Sequence, residues 1–188
     1  MDGKESARQA HVLETALTVF VRHGFRKTSI EDIAKAAGIS RQGIYLHFKD
    51  KDEIFSASIQ KALDDGLQAA NPILDDDRLT LEEKLFKALD EWFGRHVGLL
   101  DPEASDLLAQ CERVLGDAVG KSRSSFQKKL EKAILGRSAR KTKGAVKRAA
   151  TIADMLCACG MTWKHRLASR QEFSEKMRDA IDLCCRDL

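Results

Sequence analysis

Residues 28–52 read TSIEDIAKAAGISRQGIYLHFKDKD, and this stretch decides the fold. Thr28 or Ser29 can open a helix, because Glu31 and Asp32 stand three residues on, where a capping box needs a carboxylate. Ile30, Ile33, Ala34 and Ala37 recur at i, i+3, i+4 and i+7, which makes one apolar helix face. Gly38 closes that helix, since glycine adopts the left-handed conformation of a C-terminal cap. Ile39 supplies an apolar plug, and Ser40 is a good N-cap for the next segment, RQGIYLHF. In that segment Ile44 and Phe48 are four apart and face inward. Arg41, Gln42, Gly43, Tyr45 and His47 are left on the other faces. Asp50 caps a further helix, with Glu53 at the capping-box position. The pattern is helix, turn, helix, and its second helix is short with polar residues near its start. A DNA major groove admits a helix of that kind.

The segment, with GISRQGIYLHFKDK at its centre, closely resembles the DNA-binding signature of TetR-type transcriptional repressors. The resemblance covers about residues 10–60; beyond them the chain agrees in length and helix pattern only. It implies that residues 41–43 and 45–47 form a recognition helix lying in the major groove. Arg41 and Gln42 then have the chemistry for base edges, guanidinium to guanine and amide to adenine. Gly43 would let the helix approach DNA closely. Tyr45 and His47 match the family's phosphate-contacting aromatic and histidine. Lys51 combines an ammonium with a helix N-terminus, and both favour a phosphate. Thr28 and Ser29 stand at another helix N-terminus, and Ser40 at the start of the recognition helix completes the candidate set. Many members carry an aromatic where Leu46 stands, so one contact is missing here or replaced by packing.

The chain has 188 residues, which fits one domain or two small ones. Its two prolines, Pro72 and Pro102, and its few aromatics favour an all-helical protein. No apolar run approaches the roughly 18–20 residues of a membrane span. The polar start, MDGKESARQA, lacks the apolar core of a signal peptide. Five irregularly spaced cysteines fit a reducing cytoplasm better than a disulfide framework. Cys157 and Cys159 point to different helix faces, so no metal site is expected. The net charge of +3 hides an uneven distribution: residues 64–117 carry 14 acidic and 5 basic side chains, and residues 118–148 carry one acidic and 11 basic. A solvated face answering the acidic segment is the expected role of the basic run.

Outside the motif, apolar spacing predicts helices over about 6–23, 51–70 (ended by Asn71-Pro72), 80–99, 107–115, 118–135, 145–167 and 170–187. Thr80 with Glu83 and Ser169 with Glu172 are further capping boxes. The expectation is an all-α protein of about nine helices. A three-helix DNA-binding unit, 1–52, would precede a helical effector-binding and dimerisation domain, 53–188. The resemblance places a small-molecule pocket in the second domain, with Phe86, Leu89, Trp92, Phe93, Leu108, Cys111, Phe126, Met155, Cys159 and Trp163 as candidate lining. It implies a homodimer on a palindromic operator. The last two helices should form its interface, because Ala149, Ala150, Ala153, Cys157, Ala158 and Gly160 are small and the final helix carries an apolar stripe. No cofactor is implied. No glycine-rich phosphate loop or catalytic constellation appears, so an enzyme is not expected. The alternative is a helical small-molecule-binding protein or enzyme that keeps the motif as scaffold.

Overall fold

The computed structural model describes residues 2–99, 106–138 and 141–186, and of residues 2–4 and 108 the backbone alone. Among these residues there are nine α-helices and no strand: α1 (Asp2–His23), α2 (Ile30–Ala36), α3 (Arg41–Tyr45), α4 (Lys51–Leu74), α5 (Leu81–Trp92), α6 (Asp106–Leu115), α7 (Asp117–Arg137), α8 (Lys143–Arg166) and α9 (Arg170–Cys185). The caps explain most starts. The side-chain oxygens of Ser29, Ser40, Thr80 and Ser169 each accept a backbone N–H three residues on. A cap of this kind stabilises its helix by about 1 kcal/mol.

The helices form two compact units, 1–64 with 99–120 and 65–98 with 121–188. The units divide at 64/65 rather than at the expected 52/53, because the first turns of α4 bury Ile54 and Phe55 in the core of the first unit. The first unit also includes α6. Its Asp106 carboxylate accepts the backbone N–H groups of Phe25 and Arg26 at 3.2 and 2.7 Å. Gln110 Nε2 donates to Asp52 Oδ1 at 2.7 Å, and Arg113 binds the same carboxylate. These bonds tie α6 to both ends of the helix-turn-helix.

Val12, Leu13, Ala16 and Phe20 of α1 meet Ile33, Ala34, Ile44, Phe48, Ile54, Phe55 and Leu107 in one buried cluster. Phe55 lies edge-on to Phe20 (5.1 Å) and to Phe25 (5.2 Å). Helix α4 passes Pro72 and ends at Leu74 rather than at Ala70. A proline so near a helix end removes one hydrogen bond, and the buried Leu74 holds the last turn in place.

In the second unit, Leu85, Ala88, Leu89, Trp92, Phe93, Phe126, Leu130 and Ile134 are fully or nearly buried, and the Phe126 ring meets those of Trp92 and Phe93. The helix expected over 80–99 stops at Trp92 and gives way to a 3-10 turn, Gly94–His96. The place a Cβ would take at Gly94 is already filled by the Asp90 carboxylate and the Phe173 ring. The small residues of α8 turn inward. Ala149, Ala153, Cys157 and Gly160 are buried, and a Cβ on Gly160 would collide with the Phe93 ring. The α9 stripe of Phe173, Met177, Ile181 and Cys185 is likewise buried within the unit. Four of the six small residues and this stripe therefore serve the chain's own core, while Ala150 is half-buried and Ala158 is exposed. The basic run answers the acidic segment in part: Lys129 pairs with Asp75 at 3.3 Å, and Arg137 with Glu82. Lys121, Lys128, Lys132, Lys141, Lys143, Lys147 and Arg148 are exposed to solvent.

Burial shapes the titration of three groups here. The Cys157 thiol is pushed up to about 12 and that of Cys185 to about 11, chiefly by burial, so both stay protonated near neutral pH. His96 is held down at about 4, first by burial and then by the nearby charges of Lys164 and Arg95. An unfolded histidine titrates near 6.5. The unfolded chain therefore takes up this proton first, and stability present above pH 6.5 is lost as the pH falls toward 4. After discounting for partial solvent screening, the loss by pH 4.5 is about 2 kcal/mol. Urea denaturation at pH 7 and pH 4.5 should show a smaller acid loss for His96→Gln than for the parent protein. Equal losses in both proteins would refute the assignment.

Candidate nucleic-acid interface

The helix-turn-helix is built from local bonds. Ser29 Oγ accepts the Asp32 N–H at 3.1 Å, and Asp32 Oδ2 accepts the Ser29 N–H at 2.9 Å. The Ser29 hydroxyl also donates to Asp32 Oδ2 at 2.6 Å, and this bond first, then the one from the Ser29 N–H, holds the Asp32 carboxyl below its usual range. At the other end of α2, Gly38 takes φ 66°. Its N–H reaches Lys35 O, and that of Ile39 reaches Ala34 O, the double bond of a glycine C-cap. Any side chain would strain this φ. Ser40 Oγ then accepts the Gly43 N–H at 3.0 Å to start α3.

Helix α3 has only five residues, too few to persist without tertiary packing. Ile44 and Phe48 anchor it, both buried in the core of the first unit. That anchoring turns Arg41, Gln42, Tyr45 and Leu46 outward, and all four are exposed. Arg41 and Tyr45 support each other: Arg41 Nη2 lies 3.5 Å from Tyr45 Oη, and the guanidinium carbon 5.7 Å from the ring centroid. An arginine, an amide and a phenol thus share one solvent-facing strip. This is the residue chemistry that reads base edges and phosphates.

The remaining candidates divide. Ser29 and Ser40 are exposed at their helix starts. His47 is half-buried, its Nε2 lying 3.5 Å from Glu5 Oε1. Three of the candidates also serve the fold itself. Thr28 is buried, and its hydroxyl donates to Gly24 O at 2.7 Å; it braces the turn and presents no hydroxyl to a phosphate. At Gly43 a Cβ would stand 3.3 Å from the capping Ser40 Oγ, a tight approach. Lys51 donates to Phe25 O and Thr28 O at 2.9 and 2.8 Å, with its ammonium 4.3 Å from the Phe25 ring centroid. Two of its three protons are therefore spent on closing the turn before α2. Asp106 also serves this turn, yet it stands some eighty residues away in the chain, and no local pattern marks it. Leu46 is the other residue the sequence under-reads: it is 78% exposed, so packing does not replace the expected aromatic.

The candidate effector-site residues are not all brought together. In the second unit Trp92 stacks on Phe126 (4.8 Å, 14°), and Phe93 meets both rings edge-on. Leu89 is buried one turn before them. Phe86 lies under the Arg178 guanidinium at 3.5 Å. Trp163 is half-buried and edge-on to Phe173. Cys159 is half-buried, and Met155 points outward from α8. Cys111 packs in the first unit, and the side chain of Leu108 lies outside the described residues.

Comparison with known proteins matches the geometry. The sequence model of the bacterial regulatory proteins, tetR family, fits residues 12–58. The uncharacterized HTH-type transcriptional regulator YfiR of Bacillus subtilis is 46% identical over 61 residues, 32% of this chain and 30% of its own. The HTH-type transcriptional repressor KstR2 of Rhodococcus jostii is 31% identical over 110 residues, 56% of this chain and 54% of its own. The chain thus spans about half or less of the curated relatives it matches. The fold is similar throughout to the crystal structure of a TetR-like transcriptional regulator from Rhodococcus sp. RHA1, with TM-score 0.67 and 24% identity over 97% of this chain and 98% of that one. Residues 12–58 thus match the tetR family of bacterial regulatory proteins in sequence, and the whole chain shares the fold of a TetR-like transcriptional regulator.

Proposed function

We propose that this protein is a sequence-specific DNA-binding regulator of transcription. It acts as a repressor that sits as a homodimer on a palindromic operator and is released by a small molecule. The observation that carries the DNA-binding reading is the outer strip of α3, where Arg41, Gln42 and Tyr45 face solvent because Ile44 and Phe48 are anchored behind them. A helical scaffold with no DNA partner has no use for that strip. Ser29, Ser40 and His47 flank it as phosphate contacts.

The homodimer rests on a second observation. Thr151, Met155, Ala158 and Thr162 lie along one side of α8, all exposed and none charged. Met155 is 51% exposed, and Leu183 of α9 is 67% exposed. A second copy is the occupant that suits the function, because paired recognition helices read both halves of a palindrome. One helix-turn-helix alone makes too few contacts for a specific site at cellular salt. For release, the aromatic group of Trp92, Phe93 and Phe126 is the natural apolar lining. The same unit also holds a groove of about 730 Å³ lined in part by Leu79, Leu81, Lys129, Lys132 and Arg137.

Selection from random duplexes should return a palindromic consensus. Arg41→Ala or Gln42→Ala should each weaken binding to it by about 1–3 kcal/mol and relax one position of the sequence preference. Unchanged affinity and preference in both variants would sink the groove assignment. Met155→Asp should sediment as a monomer at micromolar concentration and lose operator affinity while keeping its thermal stability. A dimer that persists in that variant places the interface elsewhere. A compound that dissociates the complex should change the emission of Trp92, whose indole is stacked on Phe126. Retention of that change after Trp92→Phe would exclude this residue as the reporter.

A further inference from the structure

We propose that Leu46 is a specificity-determining residue that reads the C5-methyl group of a pyrimidine in the major groove. The inference rests on α3 being the recognition helix. Leu46 is 78% exposed, more than the other large hydrophobic side chains exposed among the described residues, the next being Leu183 at 67%. Its position is not arbitrary. The backbone at Leu46 is still helical, with φ −69° and ψ −23°. Ile44 and Phe48, two residues before and after it, are both buried. Two residues of helix turn a side chain by about 200°, so Leu46 points almost directly away from the core. It follows Gln42 by four residues and therefore shares that residue's strip.

The side chain can neither donate nor accept a hydrogen bond. On the base edges of the major groove, the apolar group that differs between bases is the thymine methyl. A 5-methylcytosine carries the same group, whereas uracil and cytosine do not. Arg41 and Tyr45 occupy each other on the flank of the strip, which leaves Gln42 and Leu46 side by side on its crest. Four residues of helix rise about 6 Å, roughly two base-pair steps. The methyl group therefore belongs within about two base pairs of the position that Gln42 governs, once in each half of the operator.

The test replaces each thymine of the selected operator by deoxyuridine, which removes the methyl and leaves every hydrogen-bonding group. Affinity is read by fluorescence anisotropy. One thymine per half-site should be sensitive, its loss weakening the parent protein about three- to tenfold. Leu46→Ala should bind thymine and uracil equally there and still discriminate between base pairs at the position set by Gln42. Replacing that T·A pair by 5-methylcytosine·G or by C·G separates the two sources of the methyl. Preference for the methylated pair means that the methyl itself is read, and equal binding to both limits the reading to thymine. The inference is overturned if no thymine-to-uracil change matters to the parent protein, or if Leu46→Ala keeps the sensitivity. A uniform, salt-dependent loss in Leu46→Ala would also overturn it, because that marks a backbone contact. If selection returns no duplex at all, the DNA-binding reading itself fails; a protein that binds its operator but ignores the methyl fails this inference alone.

Discussion

The first unit depends on the closure of the turn between α1 and α2 by Lys51. One ammonium sits over the Phe25 ring and takes the carbonyls of Phe25 and Thr28. The carboxylate of Asp106 takes the Phe25 and Arg26 N–H groups of the same turn. A loop that must be short and partly buried needs partners for its backbone groups, and here a cation and an anion supply them. Phe20, Phe25 and Phe55 fill the space beneath. With the turn closed, the start of α2 and the start of α4 are set relative to each other, and α3 hangs between them.

Helix α3 itself is a weak element. It is five residues long and owes its start to one serine and its orientation to Ile44 and Phe48. That division of labour leaves its outward side open to solvent. The energy that holds the helix comes from residues 44 and 48, so residues 41, 42, 45 and 46 are free of any packing duty. Gly38 supplies the one backbone conformation that the turn requires, while a Cβ at Gly43 would approach the serine cap tightly.

The second unit shows how composition can mislead about partners. Small side chains on α8 and an apolar stripe on the last helix look like an interface. In the folded chain they are the places where α8 meets Phe93 and where α9 lies in the unit's own core. The candidate for a second copy is instead the plainer outer side of α8 around Met155. The basic run is similarly divided between ion pairs with Asp75 and Glu82 and lysines that face water.

The sequence by itself determined the number of helices, most of their caps and the polar outer strip of α3. These follow from interactions that reach no further than four residues: a serine to the N–H three on, a glycine free to take positive φ, an apolar residue each turn. The tertiary structure decided everything that needs distant residues to meet. It buried Thr28, spent Lys51 on two carbonyls, brought Asp106 to a turn some eighty positions earlier, and gathered Trp92, Phe93 and Phe126 while leaving Met155 outside. It also left Leu46 bare. Periodicity shows which side of a helix is apolar, but what covers that side, or whether anything does, depends on contacts between segments far apart in the chain.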